Sequence, residues 1–246
     1  MTAFLKIDEC GICRRAISWE WVPAVFLGGR SLAGTGVWRS QLVEGRCPTC
    51  LEALASQKRK EQNARLRRAA LIKLLGGEKP YREFTFDRYQ VSAGNRLAFE
   101  RAKEFNPRAD NLYLWGACGV GKTHLAYAIA RQYFEDGREV TLLTPFRLSR
   151  KLRMRDPIEE QEVMDGFLRA EIFVLDEFGN GGESPFARAA LQEILDGRLY
   201  RDRGGLVVAS RYCLDELAVK LGDDALPSRL ASMCKVFEIK GKDGRL

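Results

Sequence analysis

Eight consecutive residues have the types and spacing of a loop that binds phosphate groups. They fit the pattern G-x-x-x-x-G-K-[S/T] without a mismatch: Gly116, Ala117, Cys118, Gly119, Val120, Gly121, Lys122 and Thr123. Glycines let the backbone N–H groups point toward a phosphate, and a helix that begins here adds its dipole. We expect Lys122 to reach the β- and γ-phosphates of ATP and the Thr123 hydroxyl to ligate Mg²⁺.

A pair of carboxylates supplies the acidic element that such a loop requires. Asp176 and Glu177 directly follow the apolar run Ile172–Leu175. We expect Asp176 to hold Mg²⁺ through water and Glu177 to polarise the attacking water, which distinguishes an ATP hydrolase from a passive binder. The alternative for a single acid after a strand is a helix cap.

Three further residues are candidates around the same nucleotide. The only histidine, His124, follows Thr123 in the first helical turn, among the residues expected to contact the nucleotide. For its side chain we expect a packing or capping role. Ser210 and Arg211 end the apolar run that begins at Leu206, and either could sense the γ-phosphate.

Four cysteines form two close pairs with the spacing of a metal site. Cys10 and Cys13 form one C-x₂-C pair, Cys47 and Cys50 form the other, and 33 residues separate the pairs. Four thiolates without a histidine favour a closed, structural Zn²⁺ site, and a module of this size needs such a staple. The alternatives are two unrelated thiol pairs or a redox C-x-x-C.

The elements around these residues divide the chain into three parts. Residues 1–50 contain short β-type runs bracketed by the cysteine pairs and predict a small zinc-binding β module. Residues 51–79 predict a basic helix over 51–75, which Gly76 and Gly77 interrupt to leave a linker. Residues 80–246 alternate apolar strands with helices and predict an α/β ATPase domain with a parallel sheet.

The predicted elements of this third part share one pattern, a short buried strand followed by a helix. The strands are Leu112–Trp115, Val140–Thr144, Ile172–Leu175 and Leu206–Ser210, and the helices are 122–135, 146–153, 158–169 and 185–201.

Composition and charge narrow the class of partner. Of 246 residues, 46% are hydrophobic, and the net charge of +7 lies within residues 1–79, since the remainder is neutral. This distribution favours a polyanion or an acidic protein surface as a partner. No apolar run is long enough to span a membrane, and residues 1–9 lack the apolar segment of a signal peptide, so we expect a cytoplasmic protein without a membrane partner.

Two basic stretches are candidates for contacts with single-stranded DNA. The helix contributes Lys58, Arg59, Lys60, Arg65, Arg67, Arg68 and Lys73. The segment after the second strand contributes Arg147, Arg150, Lys151, Arg153 and Arg155. Phosphate neutralisation by either set would be salt-dependent and tolerant of sequence. A solvated helix face is the alternative for each.

The order of these motifs resembles the DnaC/IstB-like group of AAA+ P-loop ATPases, which includes bacterial and phage replicative-helicase loaders. The resemblance covers residues 44–246 and depends on Arg46-Cys-Pro-Thr-Cys50, Tyr81-Arg-Glu-Phe-Thr-Phe-Asp87, Gly121-Lys-Thr-His-Leu-Ala126, Val174-Leu-Asp-Glu-Phe-Gly179, Leu214-Asp-Glu-Leu217, Ser228-Arg-Leu230 and Asp243-Gly-Arg245.

This resemblance implies two arginine roles and an assembly. Arg229 matches the arginine finger that reaches a neighbouring subunit's nucleotide, and Arg245 matches the arginine that contacts the nucleotide of its own subunit. A homo-oligomer is therefore implied in the ATP- or DNA-bound state. Arg211 departs from the asparagine that is common after the serine of the third strand, which weakens the expectation of rapid hydrolysis.

The function that the resemblance implies is ATP-dependent loading or remodelling of a replicative helicase on single-stranded DNA. One alternative is an IstB-like transposition helper that binds duplex DNA and a transposase. The zinc module before the ATPase domain disfavours this alternative, because such helpers usually begin with a helical segment. Another alternative is a nucleotide-gated adaptor that binds ATP and scarcely hydrolyses it.

Overall fold

The computed structural model describes residues 7–23, 36–40, 46–152, 156–181, 184–201 and 205–244. The chain separates into two compact units, residues 1–68 and 69–246. The boundaries of the three predicted parts stay a prediction.

The first unit contains an antiparallel sheet and the start of a long helix. Its strands are β1 (Ile7–Glu9), β2 (Ala16–Pro23) and β3 (Gly36–Ser40), in the order β1-β2-β3. Helix α1 runs over Pro48–Leu75, three residues earlier than its predicted start. Proline is favoured in the first helical turn because it lacks only an N–H that would have no helical partner. As a result, Cys50 lies in the first turn of α1.

Helix α1 changes character along its length. Residues 55–70 are all exposed, whereas Leu71 and Leu75 are buried. Gly76 N–H donates to the Lys73 carbonyl and Gly77 N–H to the Ile72 carbonyl, which closes the helix at the predicted glycines. The basic helix is therefore confirmed, and its last turn belongs to the core of the second unit.

The second unit is built on a parallel sheet of five strands in the order β5-β6-β7-β4-β8. The strands are β4 (Asn111–Trp115), β5 (Val140–Leu143), β6 (Ile172–Phe178), β7 (Gly205–Ser210) and β8 (Lys235–Glu238). The helices after α1 are α2 (Glu78–Glu83), α3 (Arg96–Lys103), α4 (Lys122–Glu135), α5 (Pro145–Leu152), α6 (Pro157–Arg169), α7 (Pro185–Arg201), α8 (Leu214–Leu221) and α9 (Ala225–Met233). A short 3₁₀ helix covers Phe86–Arg88.

Alternating side chains of the central strands enter two separate cores. Leu112 and Leu114 of β4 belong to one cluster of buried residues, and Tyr113 between them belongs to the other. Because successive side chains of a strand point to opposite faces, both faces of the sheet are covered. The predicted doubly wound α/β fold is confirmed. Strand β8 was not predicted, because its residues lie at the sheet edge and most are exposed.

None of the helices among the described residues is long and apolar enough to cross a membrane.

Candidate functional site

The predicted phosphate loop joins β4 to α4, which is the context its motif requires. Gly121 immediately precedes the helix with a left-handed φ of 103°. A Cβ at this position would lie 2.7 Å from the Tyr89 ring, so both the conformation and the space require glycine. Lys122 is buried, and its Nζ donates to the carbonyl oxygens of Gly116 at 2.9 Å and Ala117 at 2.6 Å. The loop thus holds its lysine on its own carbonyl groups.

Thr123 and Asp176 meet across the carboxyl edge of the sheet. The Thr123 hydroxyl donates to Asp176 Oδ1 at 3.1 Å, although 53 residues separate them. Burial raises the pKa of the Asp176 carboxyl to about 6, against the Glu177 N–H and the Thr123 hydroxyl, which lower it. The Thr123 hydroxyl and the Asp176 carboxylate are hard oxygen ligands of the kind that bind Mg²⁺. A bound cation would also offset the cost of burying the negative charge of Asp176. Both predicted Mg²⁺ ligands are therefore adjacent.

Glu177 has an unusual backbone conformation directly beside Asp176. Its φ is 59°, one of two left-handed non-glycine residues in the described chain, and the pairing of β6 with β7 shifts register between Leu175 and Phe178. The Glu177 N–H donates to Asp176 Oδ1 at 2.9 Å. The shift leaves Asp176 buried and Glu177 exposed at the sheet edge. Such strain is typical of functional positions and costs about 1–3 kcal/mol.

An aromatic cluster that sequence reasoning missed packs beside the loop. His124 Nε2 lies 2.7 Å from the Thr85 carbonyl oxygen, and its ring contacts Phe84 and Tyr89. Burial lowers the pKa of His124. The predicted packing role of this side chain is consistent with these contacts, and a nucleotide contact by His124 stays a prediction. The spacing of aromatics over 81–89 was the available signal.

The two predicted sensor positions differ in environment. Ser210 is buried, and its hydroxyl donates to the Phe178 carbonyl at 2.7 Å and accepts from the Tyr212 N–H at 3.1 Å. These bonds tie the ends of β6 and β7 together. Arg211 is exposed. A sensing role for either residue stays a prediction.

The predicted arginine finger forms an ion pair between two helices. Arg229 of α9 donates from Nε and Nη2 to the two carboxylate oxygens of Asp196 on α7, the second at 3.2 Å, and from Nη1 to the Ala225 carbonyl. A bidentate pair fixes the plane of the guanidinium. The other predicted arginine, Arg245, lies outside the described residues.

The four predicted metal-binding cysteines come together in the first unit. The Sγ atoms of Cys10, Cys13, Cys47 and Cys50 lie within 4.8 Å of one another. Cys13 and Cys47 Sγ are 3.8 Å apart, the edge length of a tetrahedron with metal–sulfur distances of about 2.3 Å. The Cys47 N–H also donates to Cys10 Sγ at 3.3 Å, and backbone N–H groups, first that of Cys13, lower the pKa of Cys10 to about 6. This donor set fits Zn²⁺.

The two basic stretches are described to different extents. Residues 58–68 of α1 are exposed, as are Arg150 and Lys151 of α5, whereas Arg147 is half-buried. Phe146 of α5 is also exposed, and Lys151 Nζ lies 5.7 Å from the centre of the Phe167 ring. Arg153 and Arg155 lie outside the described residues. Positive charge and exposure are the features of these two stretches that favour a contact with DNA.

Comparison with known proteins gives consistent matches. Residues 49–246 match the family described as IstB-like ATP binding protein. The chain is 27% identical over 186 residues to the insertion sequence IS5376 putative ATP-binding protein of Geobacillus stearothermophilus, with 72% of each chain covered. It is 24% identical over 154 residues to the replicative helicase loader DnaC of Buchnera aphidicola subsp. Acyrthosiphon pisum, covering 59% of this chain and 63% of DnaC, just under two thirds of that relative.

Among solved structures, the crystal structure of DnaI has the same fold. The TM-score is 0.57 at 22% sequence identity, over 70% of this chain and 92% of DnaI.

Proposed function

The chain belongs to the IstB-like ATP binding protein family, and we propose that it is an ATPase that loads or remodels a replicative helicase on single-stranded DNA. The observation that carries the catalytic part is the junction of Thr123, Asp176 and Glu177 at one edge of the sheet. ATP binding would favour the DNA-bound state, and hydrolysis would favour release.

The chemistry follows from the positions of these side chains. Lys122 would exchange its two loop carbonyls for oxygens of the β- and γ-phosphates. Thr123 and Asp176 would hold Mg²⁺, which supplies positive charge to the phosphate oxygens. Glu177 would accept a proton from the attacking water. As this happens, the water oxygen bonds to the γ-phosphorus and the bond between the γ-phosphorus and the leaving ADP oxygen breaks.

The loader assignment is supported by the relative DnaC and by the first unit. A closed cysteine site is structural and does no chemistry on its own, so this unit is suited to protein recognition. We assign the docking of the helicase to the first unit and to α1, whose exposed residues 55–70 carry several positive charges. Single-stranded DNA would be held by α5 and the basic residues after it.

A transposition helper is the second candidate. The family description and the IS5376 relative, which is covered over 72% of its length, favour it. Such a protein would bind duplex DNA and a transposase. Its turnover would respond to duplex rather than single-stranded DNA, which separates it from a loader.

We propose that the active form is a homo-oligomer in which Arg229 completes the site of the neighbouring subunit. A guanidinium stabilises charge that builds on the γ-phosphate, and a group acting in trans couples hydrolysis to assembly. Only 29% of the Arg229 side chain is exposed, so assembly must draw it from Asp196 or use both together.

Subunit mixing tests this arrangement. Glu177→Gln keeps the arginine and lacks the catalytic carboxylate, whereas Arg229→Ala keeps the carboxylate and lacks the arginine. Each variant alone should lose ATP turnover, and an equimolar mixture should recover part of it, because interfaces between the two variants can pair an intact Glu177 with an intact Arg229.

Matched controls are available on α6. Glu162→Gln and Arg169→Ala remove the same charges from exposed positions and should retain full turnover. Recovery in the mixture supports trans action. Two active single variants would contradict the assigned roles, and a wild type that binds ATP without turnover would make the chain a nucleotide-gated adaptor.

A further inference from the structure

The segment that follows β8 runs along the phosphate loop. The Ile239 N–H donates to the Trp115 carbonyl at 2.7 Å, and the Gly244 N–H donates to the Gly119 carbonyl at 3.2 Å. The Ile239 carbonyl oxygen lies where a Cβ on Gly116 would stand. We call residues 239–244 the C-terminal strap. It therefore contacts the loop at its beginning and near its middle.

The strap is also held from its other side. The Lys240 N–H donates to the Gly94 carbonyl at 2.9 Å, and a Cβ on Gly94 would lie 2.8 Å from Lys240 Cβ. Backbone hydrogen bonds to two separate segments fix the first and last residues of the strap. The side chains between them consequently have defined positions beside the loop.

One of these side chains places a negative charge on the phosphate loop. A Cβ on Gly119 would overlap the Asp243 carboxyl group, whose Oδ2 lies 2.7 Å from that point. Gly119 has a φ of 75° and lies between the first glycine of the motif and Lys122. The carboxylate thus packs directly on the loop that would surround the phosphates of a nucleotide.

The position of this carboxylate has an electrostatic consequence. The loop attracts anions through its N–H groups, the start of α4 and Lys122. A carboxylate in contact with the same loop repels a triphosphate, and charges a few ångströms apart at a protein surface interact by about 1 kcal/mol or more. Asparagine has nearly the same shape as aspartate and removes only the charge.

We infer that Asp243 sets the nucleotide affinity of this site by opposing the phosphate charge. The inference rests on the proposed nucleotide site. In the wild type, the carboxylate keeps binding weaker than the loop alone would allow. ATP, with more charge, is opposed more strongly than ADP, so the strap lowers the preference for ATP.

The test is the affinity for fluorescent mant-ATP and mant-ADP, measured on the full chain at low and high salt. Asp243→Asn should tighten mant-ATP binding by about fivefold or more and mant-ADP binding by less. The gain should shrink at high salt, because screening weakens a charge effect. Asp215→Asn, at an exposed position of α8, is the matched control and should change neither affinity.

The outcomes separate this inference from the proposed function. Unchanged or weaker binding by Asp243→Asn, while the wild type binds and Lys122→Ala does not, overturns the inference alone. A gain that is equal for both nucleotides and independent of salt also overturns it, since it would indicate a change of shape. If neither wild type nor Asp243→Asn binds nucleotide, both the proposed function and the inference fail. Asp243→Ser serves as a second variant if the first is poorly folded.

Discussion

The folds of the two units of this chain are stabilised in different ways. In the described part of the first unit, the buried apolar cluster consists of Cys10, Ile17 and Cys47 with Cys50 packed against it. The second unit has extensive buried clusters on both faces of its sheet. Because the described core of the first unit is mainly thiols, we expect a metal to stabilise its fold, whereas a covered parallel sheet is stabilised by burial. The candidate nucleotide site lies in the second unit, whose fold is stabilised by burial.

The largest expected effect comes from removing the metal ligands. Cys47→Ser should abolish zinc binding and unfold the first unit, because the ligand provides one of four thiolates and is itself buried. Zinc content should fall from one ion per chain to none. Trypsin should then cleave rapidly after Arg14, Arg15 and Arg39.

The same variant, Cys47→Ser, should leave the second unit and its nucleotide site intact. Binding of mant-ATP should be retained, since the four cysteines belong to the first unit and the phosphate loop belongs to the second. Cys213→Ser, which changes a cysteine that caps α8, is the control and should keep its zinc. Loss of nucleotide binding together with zinc would show that the two units are not independent.

A substitution in the core of the second unit should destabilise that unit and leave zinc binding by the first unit unchanged. Phe173 is fully buried in β6, and Phe173→Ala should lower the free energy of unfolding by about 3–5 kcal/mol through lost burial and a cavity. Thermal denaturation should show the loss, and zinc content should stay at one ion per chain. A variant that loses zinc while its nucleotide site survives would contradict the division.

The smallest effect concerns pH. Burial lowers the pKa of His124 below its unfolded value of 6.5, so the unfolded chain binds a proton more readily. Its contribution to stability is therefore present above pH 6.5 and is lost as pH falls toward the folded pKa. The effect should be small, since it concerns a single ring that is only partly buried.

Because His124 is the only histidine, NMR can follow its ring directly. The titration midpoint should lie below 6.5, and His124→Gln should lose less stability between pH 7 and pH 5 than the wild type. Asp176 titrates in the same range with the opposite sign, since a raised carboxyl pKa adds stability as pH falls. The comparison of variant with wild type removes that contribution. A midpoint above 6.5 would contradict the buried position.

Much of the second unit could be predicted because its signals are local. The loop motif and the apolar runs predicted β4, β5, β6 and β7. Because the carboxyl ends of parallel strands lie at one edge of a sheet, Asp176 was expected near Thr123, as the structure shows. The four cysteines were predicted by spacing. Their closeness in the structure is consistent with that prediction.

The remainder depends on long-range contacts that leave little local pattern. Strand β8 is short, mostly exposed and stabilised by pairing with β4, which periodicity does not reveal. Asp196 meets Arg229 from a different helix, so their pairing was not predictable. The position of Asp243 on Gly119 likewise follows from the register of β8. The φ of Glu177 arises from a shift in strand pairing.

The proposed activity is tested most directly by measuring ATP turnover of the zinc-loaded protein alone, with single-stranded DNA and with duplex DNA. We expect turnover that single-stranded DNA stimulates more than duplex DNA. Glu177→Gln should abolish this turnover while ATP binding remains. Stimulation by duplex DNA alone would favour the transposition helper. Turnover that survives Glu177→Gln, or no turnover by the wild type under all three conditions, would contradict ATP hydrolysis at this site.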